Sequence, residues 1–338
     1  MTRTWWPSIR TSTHLRNVSV IVVGCCLSLT GGLEIAPTAQ ASVRSGAGLP
    51  ETSVPVRTVR PDNSTVLDWR AAQKDIAPYP ECLGHPVAYC TVVRGTGKHV
   101  VLMGDSLARM WLPAFIAIAH REALTLTVAI HPACPWPDNL DGLSMSPDCE
   151  VRRADWYARV IPDVNPDIVF LANRPYDAPG NDLTIEVSGR IVSTANPIAI
   201  HAITDATTRS LNLLRRPGRE LVLLEPTPVP QNRSFDPLLC LAAGNTNCSF
   251  TVSPRTTPLT QLDRNLATIP DVWSLNLDRL ACPRFPICDP VVNNIIVRRD
   301  HTHLTATYAR AQTDQLLTIL LNEHILGDGG PPPPNRVG

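Results

Sequence analysis

Ser106 is the residue whose surroundings best suit covalent chemistry. It follows a continuous apolar run at 100–103 and a sharp Gly104-Asp105 break, and apolar residues then recur at helical spacing. A serine in this place lies at a helix N-terminus, where free N–H groups and the helix dipole favour negative charge, as an acyl-transfer reaction requires. The alternative interpretation is that Asp105 and Ser106 only cap the helix.

A serine nucleophile needs a base to take its proton, and the stretch DHTHL at 300–304 offers one. Asp300 and His303 are three residues apart and can meet across a single turn. His303 would then be the base and Asp300 the carboxylate that orients it, with His301 open as an alternative base. The competing interpretation is that Asp300 or Thr302 caps the final helix and that the histidines lie on the surface.

The elements that must position these residues alternate from residue 98 onward. Further strands are predicted at 124–130, 167–173, 220–225 and 272–277, and helices at 151–164, 202–216, 258–267 and 305–324. This alternation predicts the α/β class, a three-layer α/β/α sandwich with a mostly parallel central sheet. Functional groups in such sheets gather beyond the carboxyl ends of the strands, which is where Ser106 and Asn173 would lie.

Taken together, these features resemble the SGNH (GDSL-type) hydrolase superfamily, whose fold is flavodoxin-like. They resemble in particular the SGNH domain that follows the membrane part of acyltransferase-3 type bacterial O-acyltransferases. The matching stretches are GDSLARMWLPAF, HPACPWP, the loop between Cys240 and Cys248, CPRFPIC and RRDHTHLTATYAR. They span about residues 98–321.

The resemblance implies a role for each candidate residue. Ser106 would be the nucleophile, His303 the general base and Asp300 its support. The oxyanion hole of the superfamily combines the serine N–H, an asparagine side chain, for which Asn173 stands here, and the N–H of a glycine after the second strand. This chain has HPAC in that loop, so the N–H of Ala133 is expected to replace the glycine. No cofactor and no metal ion are expected.

Cysteine usage predicts disulfide bonds. Ten cysteines are present, two of them at positions 25 and 26 and eight farther along the chain. Eight cysteines allow roughly a hundred pairings, so pairing neighbours rests on proximity alone. On that basis we expect the pairs Cys82–Cys90, Cys134–Cys149, Cys240–Cys248 and Cys282–Cys288.

The N-terminus is typical of an exported protein. Arg3, Arg10 and Arg16 precede an apolar stretch at 18–33, and Ala39-Gln40-Ala41 offers a cleavage site, so residues 1–41 are predicted to be a signal peptide. An uncleaved N-terminal membrane anchor is the alternative, and a lipoprotein signal at Cys25 ranks third. Cysteine pairing is consistent with either extracytoplasmic location.

Composition bounds the remaining possibilities. The 338 residues are 43% hydrophobic, which is enough for a core, and 30 basic residues balance 30 acidic ones. No cluster of like charge stands out, so nucleic acid is not expected as a partner. The domain prediction is a signal peptide at 1–41, an N-terminal extension at 42–95 with the Cys82/Cys90 loop, an SGNH-like catalytic domain at 96–326 and a disordered Gly/Pro tail at 327–338.

The functional expectation is a secreted or envelope-associated serine esterase or O-acyltransferase. It would act on O-acyl groups, acetyl foremost, of carbohydrate or cell-wall glycan through an acyl intermediate on Ser106. A membrane acyltransferase is the partner expected to supply acyl groups if transfer occurs. The alternative is a catalytically weak SGNH-like protein that binds a glycan or an acyltransferase partner, which the missing loop glycine motivates.

Overall fold

The computed structural model describes residues 67–142, 144–178, 183–253 and 256–327. The predicted signal peptide, its membrane-anchor alternative, residues 42–66 of the predicted extension and all but the first residue of the predicted tail lie outside these ranges. Among the described helices, none is both long enough and apolar enough to cross a membrane.

Strands of the central sheet follow the apolar runs of the sequence. The strands are β1 (Thr91–Val93), β2 (His99–Gly104), β3 (Thr125–Ile130), β4 (Ile168–Ala172), β5 (Thr184–Val187), β6 (Arg190–Ser193), β7 (Glu220–Leu224), β8 (Phe250–Thr251), β9 (Val272–Leu275), β10 (Ile287–Cys288), β11 (Val291–Val292) and β12 (Ile295–Ile296). Six of them form one sheet in the order β1-β3-β2-β4-β7-β9. Within this six-stranded sheet, β1 is antiparallel to β3 and the other neighbouring strands are parallel.

Helices connect the parallel strands. They are α1 (Trp69–Gln73), α2 (Ser106–Arg121), α3 (Cys149–Asp155), α4 (Ile161–Val164), α5 (Pro197–Leu214), α6 (Pro237–Ala242), α7 (Pro258–Leu266), α8 (Asp278–Ala281), α9 (Ala306–Ala311) and α10 (Thr313–Asn322). A π-helical turn, Trp156–Val160, joins α3 to α4, so residues 149–164 run on as one helical segment.

Successive residues of a strand point to opposite faces of the sheet, and helices cover both faces. Leu102 and Phe170 belong to a core with residues of α2, α9 and α10. Met103 and Leu171 belong to a second core with residues of α4, α5 and α7. The predicted three-layer α/β/α sandwich is therefore confirmed.

The structure departs from the sequence expectation in three places. Strand β1 pairs with β3 at the sheet edge although its residues precede the predicted domain boundary at 96. A β5–β6 hairpin occupies part of the connection after β4, where the sequence predicts a loop. The final helix is two helices, α9 and α10, that meet at the buried Gln312. Strands of three or four residues carry too short a pattern to be recognised reliably.

Candidate active site

Ser106 is the first residue of α2, directly beyond the carboxyl end of β2. The cap of this helix is Asp105, whose Oδ1 accepts a hydrogen bond of 2.8 Å from the Leu107 N–H. Gly104, just before it, has φ 142°, and a Cβ there would lie 1.9 Å from the carbonyl oxygen of Ala172 on β4. The capping function thus belongs to Asp105, and the Ser106 hydroxyl is left for other contacts.

Asp105 also fixes the segment after β4. Its side chain is fully buried, and Oδ2 accepts a 2.9 Å hydrogen bond from the Arg174 N–H. Burial raises the pKa of Asp105, an effect that the nearby Arg174 guanidinium opposes. The loops that carry Ser106 and Asn173 are therefore joined by one buried carboxylate.

His303 contacts Ser106 from a distant part of the sequence. Its Nε2 lies 2.8 Å from Ser106 Oγ, although the two residues are 197 positions apart. On the other side of the ring, Nδ1 lies 2.9 Å from both carboxylate oxygens of Asp300. The structure thus brings together the three residues predicted as nucleophile, base and orienting acid.

Asp300 is itself held in place by the backbone. Its Oδ1 accepts hydrogen bonds from the N–H groups of Thr302 (2.8 Å) and His303 (2.7 Å). Burial on its own would raise the pKa of Asp300, but the hydrogen bond and charge of His303 and the nearby Arg299 lower that pKa well below its usual range. An ionised Asp300 keeps the proton of the imidazole on Nδ1, which leaves Nε2 free to accept the Ser106 proton.

The capping alternative for this stretch does not describe what the structure contains. Helix α9 is capped by Thr305, whose side chain accepts from the Tyr308 N–H at 3.1 Å. His301, the alternative base, has its Nδ1 3.0 Å from the carbonyl oxygen of Phe235. No contact between His301 and Ser106 occurs among the described residues.

Asn173 and Ala133 begin the loops on either side of Ser106. Gly104 is in register with Ala172 of β4 and with Ile130 of β3, so both loops leave the sheet level with Ser106. Asn173 Oδ1 accepts a 3.1 Å hydrogen bond from the Trp136 N–H, which leaves the amide Nδ2 available as a donor.

Ala133 has φ 56°, in the left-handed region that glycine adopts without strain. The alanine therefore reproduces the backbone conformation that a glycine would favour. Within the described part of the chain, neither the Ala133 N–H nor the Ser106 N–H donates to another group. The three donors predicted for an oxyanion hole thus have uncommitted N–H groups at one edge of the sheet.

A second serine, histidine and aspartate set lies in the loop after β3, and the sequence interpretation missed it. His131 Nε2 lies 3.1 Å from Ser146 Oγ, and Ser146 donates a short hydrogen bond to Asp148. Arg152 binds the same carboxylate at 2.6 and 2.8 Å. The signal in the sequence is a histidine directly after a buried strand, followed by Ser146 and Asp148 two residues apart.

All four neighbour pairs of cysteines are joined by disulfide bonds. Cys134–Cys149 is the pair closest to the site, because Cys134 follows Ala133 and Cys149 begins α3. The loop that carries Ala133 is further held by the Ser146 N–H, which donates to the Ala133 carbonyl at 3.0 Å.

Two cavities flank the Ser106 region. A small, shallow cavity is lined by Ser106 and His303 together with Arg109, Arg299 and Asp75. The sequence interpretation did not single out either arginine, although one follows Ser106 by a helical turn and the other precedes Asp300.

A larger groove of about 460 Å³ lies beyond the ends of β7 and β9. Its wall includes Glu225, which is held by Arg264 at 2.8 and 2.9 Å, and also Asn276 and Thr227. The Thr227 hydroxyl is buried and makes no hydrogen bond among the described residues. The groove therefore offers polar side chains at the same edge of the sheet.

Comparison with known proteins gives one family match. A family model described as "SGNH domain (fused to AT3 domains)" matches residues 74–318. No curated protein matches the chain.

Several solved structures are similar. The periplasmic domain of a lipopolysaccharide acetyltransferase from Salmonella ser. Paratyphi A has 12% identity and a TM-score of 0.47, over 68% of this chain and 85% of that one. A putative acylhydrolase from Bacteroides fragilis has 11% identity and a TM-score of 0.38, over 75% and 95%. A family two carbohydrate esterase from Clostridium thermocellum, solved in complex with cellohexaose, has 9% identity and a TM-score of 0.38, over 69% and 66%.

Proposed function

The chain belongs to the family of SGNH domains that are fused to AT3 domains, and on this premise we propose that it transfers or hydrolyses O-acyl groups of carbohydrate through an acyl intermediate on Ser106. It is an esterase or O-acyltransferase. The observation that carries the proposal is the continuous contact from Ser106 Oγ to His303 Nε2 (2.8 Å) and from His303 Nδ1 to Asp300 (2.9 Å).

In the first half-reaction, Ser106 Oγ attacks the carbonyl carbon of the ester while its proton moves to His303 Nε2. The bond from the carbonyl carbon to the alcohol oxygen then breaks, and the alcohol leaves with the proton from His303. Asp300, whose low pKa keeps it ionised, stabilises the positive charge on the imidazole between these two proton transfers. The product of this half is an acyl ester on Ser106.

The second half-reaction runs through the same groups in reverse. Water or a sugar hydroxyl gives its proton to His303 Nε2 and attacks the acyl carbon, and Ser106 regains its proton as the acyl group departs. The negative charge that forms on the carbonyl oxygen in each half would be bound by the N–H groups of Ser106 and Ala133 and by the amide of Asn173. One such donor contributes about 3 kcal/mol to transition-state stability.

The disulfide bonds support the proposed location of the protein. Disulfide bonds persist in oxidising compartments, and four of them support an extracytoplasmic site of action, secreted or associated with the envelope. The signal peptide at 1–41 remains part of this proposal. An acylated cell-wall or envelope glycan is then the substrate within reach, and a membrane acyltransferase of the AT3 type is the proposed acyl donor if transfer takes place.

The test is formation of an acyl-enzyme. The protein is mixed with 4-nitrophenyl acetate, quenched in acid and examined by intact mass and peptide mapping. We expect a burst of nitrophenol, one added acetyl group, and its location on the peptide that contains Ser106. The control variant is Ser146→Ala, which removes the other histidine-bonded serine and should acetylate as the wild type does.

Ser106→Ala should abolish both the burst and the modification. Equal background rates for wild type and Ser106→Ala would contradict the enzymatic proposal and would favour the glycan-binding or partner-binding alternative. Adding a sugar acceptor such as a short chitin oligomer to the same assay separates hydrolysis from transfer, because transfer yields an acetylated sugar in place of free acetate.

A further inference from the structure

Arg109 lies beside the nucleophile and faces the same space. It follows Ser106 by three residues on α2, so the two side chains lie on one face of the helix. Both line the small, shallow cavity that also contacts His303 and Arg299. Any group bound in this cavity is within reach of the reacting serine.

The Arg109 guanidinium is fixed in position without a counter-ion. Its Nε donates to the Ala77 carbonyl at 2.6 Å, and its central carbon lies 4.9 Å from the centre of the Tyr79 ring. Within the described residues, no carboxylate lies within 4 Å of Arg109 and its two terminal nitrogens make no hydrogen bond. These terminal nitrogens are the pair that binds carboxylate or phosphate in a forked arrangement.

The other charged groups at the cavity are already engaged. Arg299 pairs with Asp300 at 2.9 Å, and Asp300 is also bound by His303. Asp75 Oδ2 accepts a hydrogen bond of 2.8 Å from the Thr307 N–H. Burial, together with the positive charge of Arg299, lowers the pKa of Arg109, so a bound anion would relieve an unfavourable environment.

The position of the cavity indicates which part of the substrate it meets. His303 returns a proton to the departing alcohol, so a group beside His303 belongs to the alcohol and not to the acyl chain. The oxyanion donors Asn173 and Ala133 are absent from the lining of this cavity among the described residues. The cavity therefore faces the sugar part of an acylated carbohydrate.

We propose that Arg109 forms an anion subsite and that the preferred substrate is an acyl ester of an acidic carbohydrate, with a carboxylate or phosphate near the acylated oxygen. This inference rests on the proposed function and narrows its substrate class. The carboxylate of a uronic acid and the phosphate of a sugar phosphate share the chemistry that the subsite recognises, and the experiment below separates them.

The test compares three acetyl esters of similar size. Methyl 4-acetoxybenzoate is neutral, 4-acetoxybenzoate carries a carboxylate and 4-acetoxyphenyl phosphate carries a phosphate. For wild type we expect kcat/KM for at least one anionic ester to exceed that for the neutral ester by about tenfold or more, since a charge-assisted pair is worth at least this factor. The larger of the two ratios identifies the preferred anion.

Arg109→Gln should bring this ratio close to one, chiefly through KM, and Arg109→Lys should keep part of it because the charge remains. The matched control is Arg121→Gln, at the far end of α2, where the guanidinium pairs with Asp314 at 2.7 Å on the surface. Arg121→Gln should keep the wild-type ratio. A ratio near one in the wild type, or an unchanged ratio in Arg109→Gln, would overturn the proposal.

A binding measurement keeps this outcome separate from a failure of the proposed function. Ser106→Ala is titrated calorimetrically with D-glucuronate and with inorganic phosphate, and the titrations are repeated with Ser106→Ala/Arg109→Gln. Binding that disappears with Arg109 supports the subsite even if no ester is turned over. Binding that is absent, or that does not depend on Arg109, refutes it even if the esterase is active.

Discussion

Two sets of serine, histidine and aspartate lie at the same edge of the sheet, and they differ in the order of their contacts. In the first, the imidazole of His303 lies between Ser106 and Asp300. In the second, the hydroxyl of Ser146 lies between His131 and Asp148. The exposed fractions of the two histidine side chains are nearly equal, 19% and 18%, so access to solvent does not distinguish them.

The order of contacts decides where the serine proton goes. Ser146 directs its proton to Asp148, a carboxylate whose pKa is held well below its usual range by hydrogen bonds from Arg152 and Ser146, so it is a poor base. His131 has its pKa lowered by burial and by Arg152. Its Nδ1 lies 3.6 Å from Glu81 Oε2 without a hydrogen bond, whereas His303 Nδ1 lies 2.9 Å from Asp300. Ser106, in contrast, faces a nitrogen that an ionised carboxylate leaves unprotonated. A serine is therefore activated as a nucleophile when the imidazole lies between it and the carboxylate. The presence of the three residue types alone does not activate it.

The largest difference is expected when each histidine is replaced by alanine in turn. His303→Ala should reduce kcat/KM for acetyl esters by about 10³-fold, within the range expected for loss of a general base. His131→Ala should change it by no more than a few-fold, because Ser146 donates its proton to Asp148 and not to His131. Steady-state rates with 4-nitrophenyl acetate give both values, and similar losses in the two variants would show that the second set also takes part.

Asn173 lies between the two regions, since its Oδ1 is bound by the Trp136 N–H of the loop that follows His131. Asn173→Ala should lower kcat by about 10²-fold through loss of an oxyanion donor. Asn173→Asp keeps the acceptor for Trp136 but removes the donor, so it should be equally impaired. Recovery of activity in Asn173→Asp would mean that Asn173 only anchors the loop.

The two aspartates are compared by Asp300→Asn and Asp148→Asn. Asp300→Asn should cost about a hundredfold in kcat because the imidazole loses its orienting anion, whereas Asp148→Asn should have a small effect. Rates over a range of pH, measured beside circular dichroism to establish folding, make the comparison. Equal losses in the two variants would contradict the distinction drawn from the contact order.

Asp300 also predicts a dependence of stability on pH. Its folded-state pKa lies below the unfolded value of about 3.9, so its contribution to the free energy of unfolding is complete above that pH and is lost as the pH falls through the folded-state pKa. The stability difference between wild type and Asp300→Asn should therefore be larger at about pH 6 than at about pH 3. Urea titrations at the two pH values measure it, and a difference that grows on acidification would contradict the low pKa.

The smallest effect concerns the loop that joins the two regions. Ala133→Gly removes the cost of a left-handed alanine, about 1 kcal/mol, although the added freedom of the unfolded chain offsets part of this. We expect a small rise in the thermal unfolding midpoint and no loss of esterase activity. A marked loss of activity would mean that the alanine methyl group, and not only the backbone conformation, contributes to the site.

Local patterns in the sequence sufficed for the five parallel strands of the central sheet and for the contact between Asp300 and His303. The apolar run of β2 and the break at Gly104 predicted the placement of Ser106, and the spacing of Asp300 and His303 predicted their contact. Helix α5 begins at Pro197, with the Asn196 side chain accepting from the Ile198 N–H. That start signal stood in the sequence, but the prediction began at residue 202.

The remaining features depend on contacts between distant parts of the chain. The residues around Ser146 in the sequence do not indicate that its hydroxyl donates its proton to Asp148 and not to His131. That Arg109 has no acidic partner among the described residues cannot be predicted from the sequence, because its contacts with Ala77 and Tyr79 join separate parts of the chain. The left-handed conformation of Ala133 likewise reflects the disulfide and hydrogen bonds that close its loop, and no local preference of alanine predicts it.

Gly104 limits which substitutions the end of strand β2 can accept. Ser106 is placed by a close approach of two backbones, in which a Cβ added at residue 104 would lie 1.9 Å from the Ala172 carbonyl oxygen. Side chains elsewhere in β2 can be exchanged for others of similar volume while Ser106 keeps its place. Residue 104, in contrast, admits no substitution that leaves the two strands where they are, so every missense change in its codon displaces Ser106.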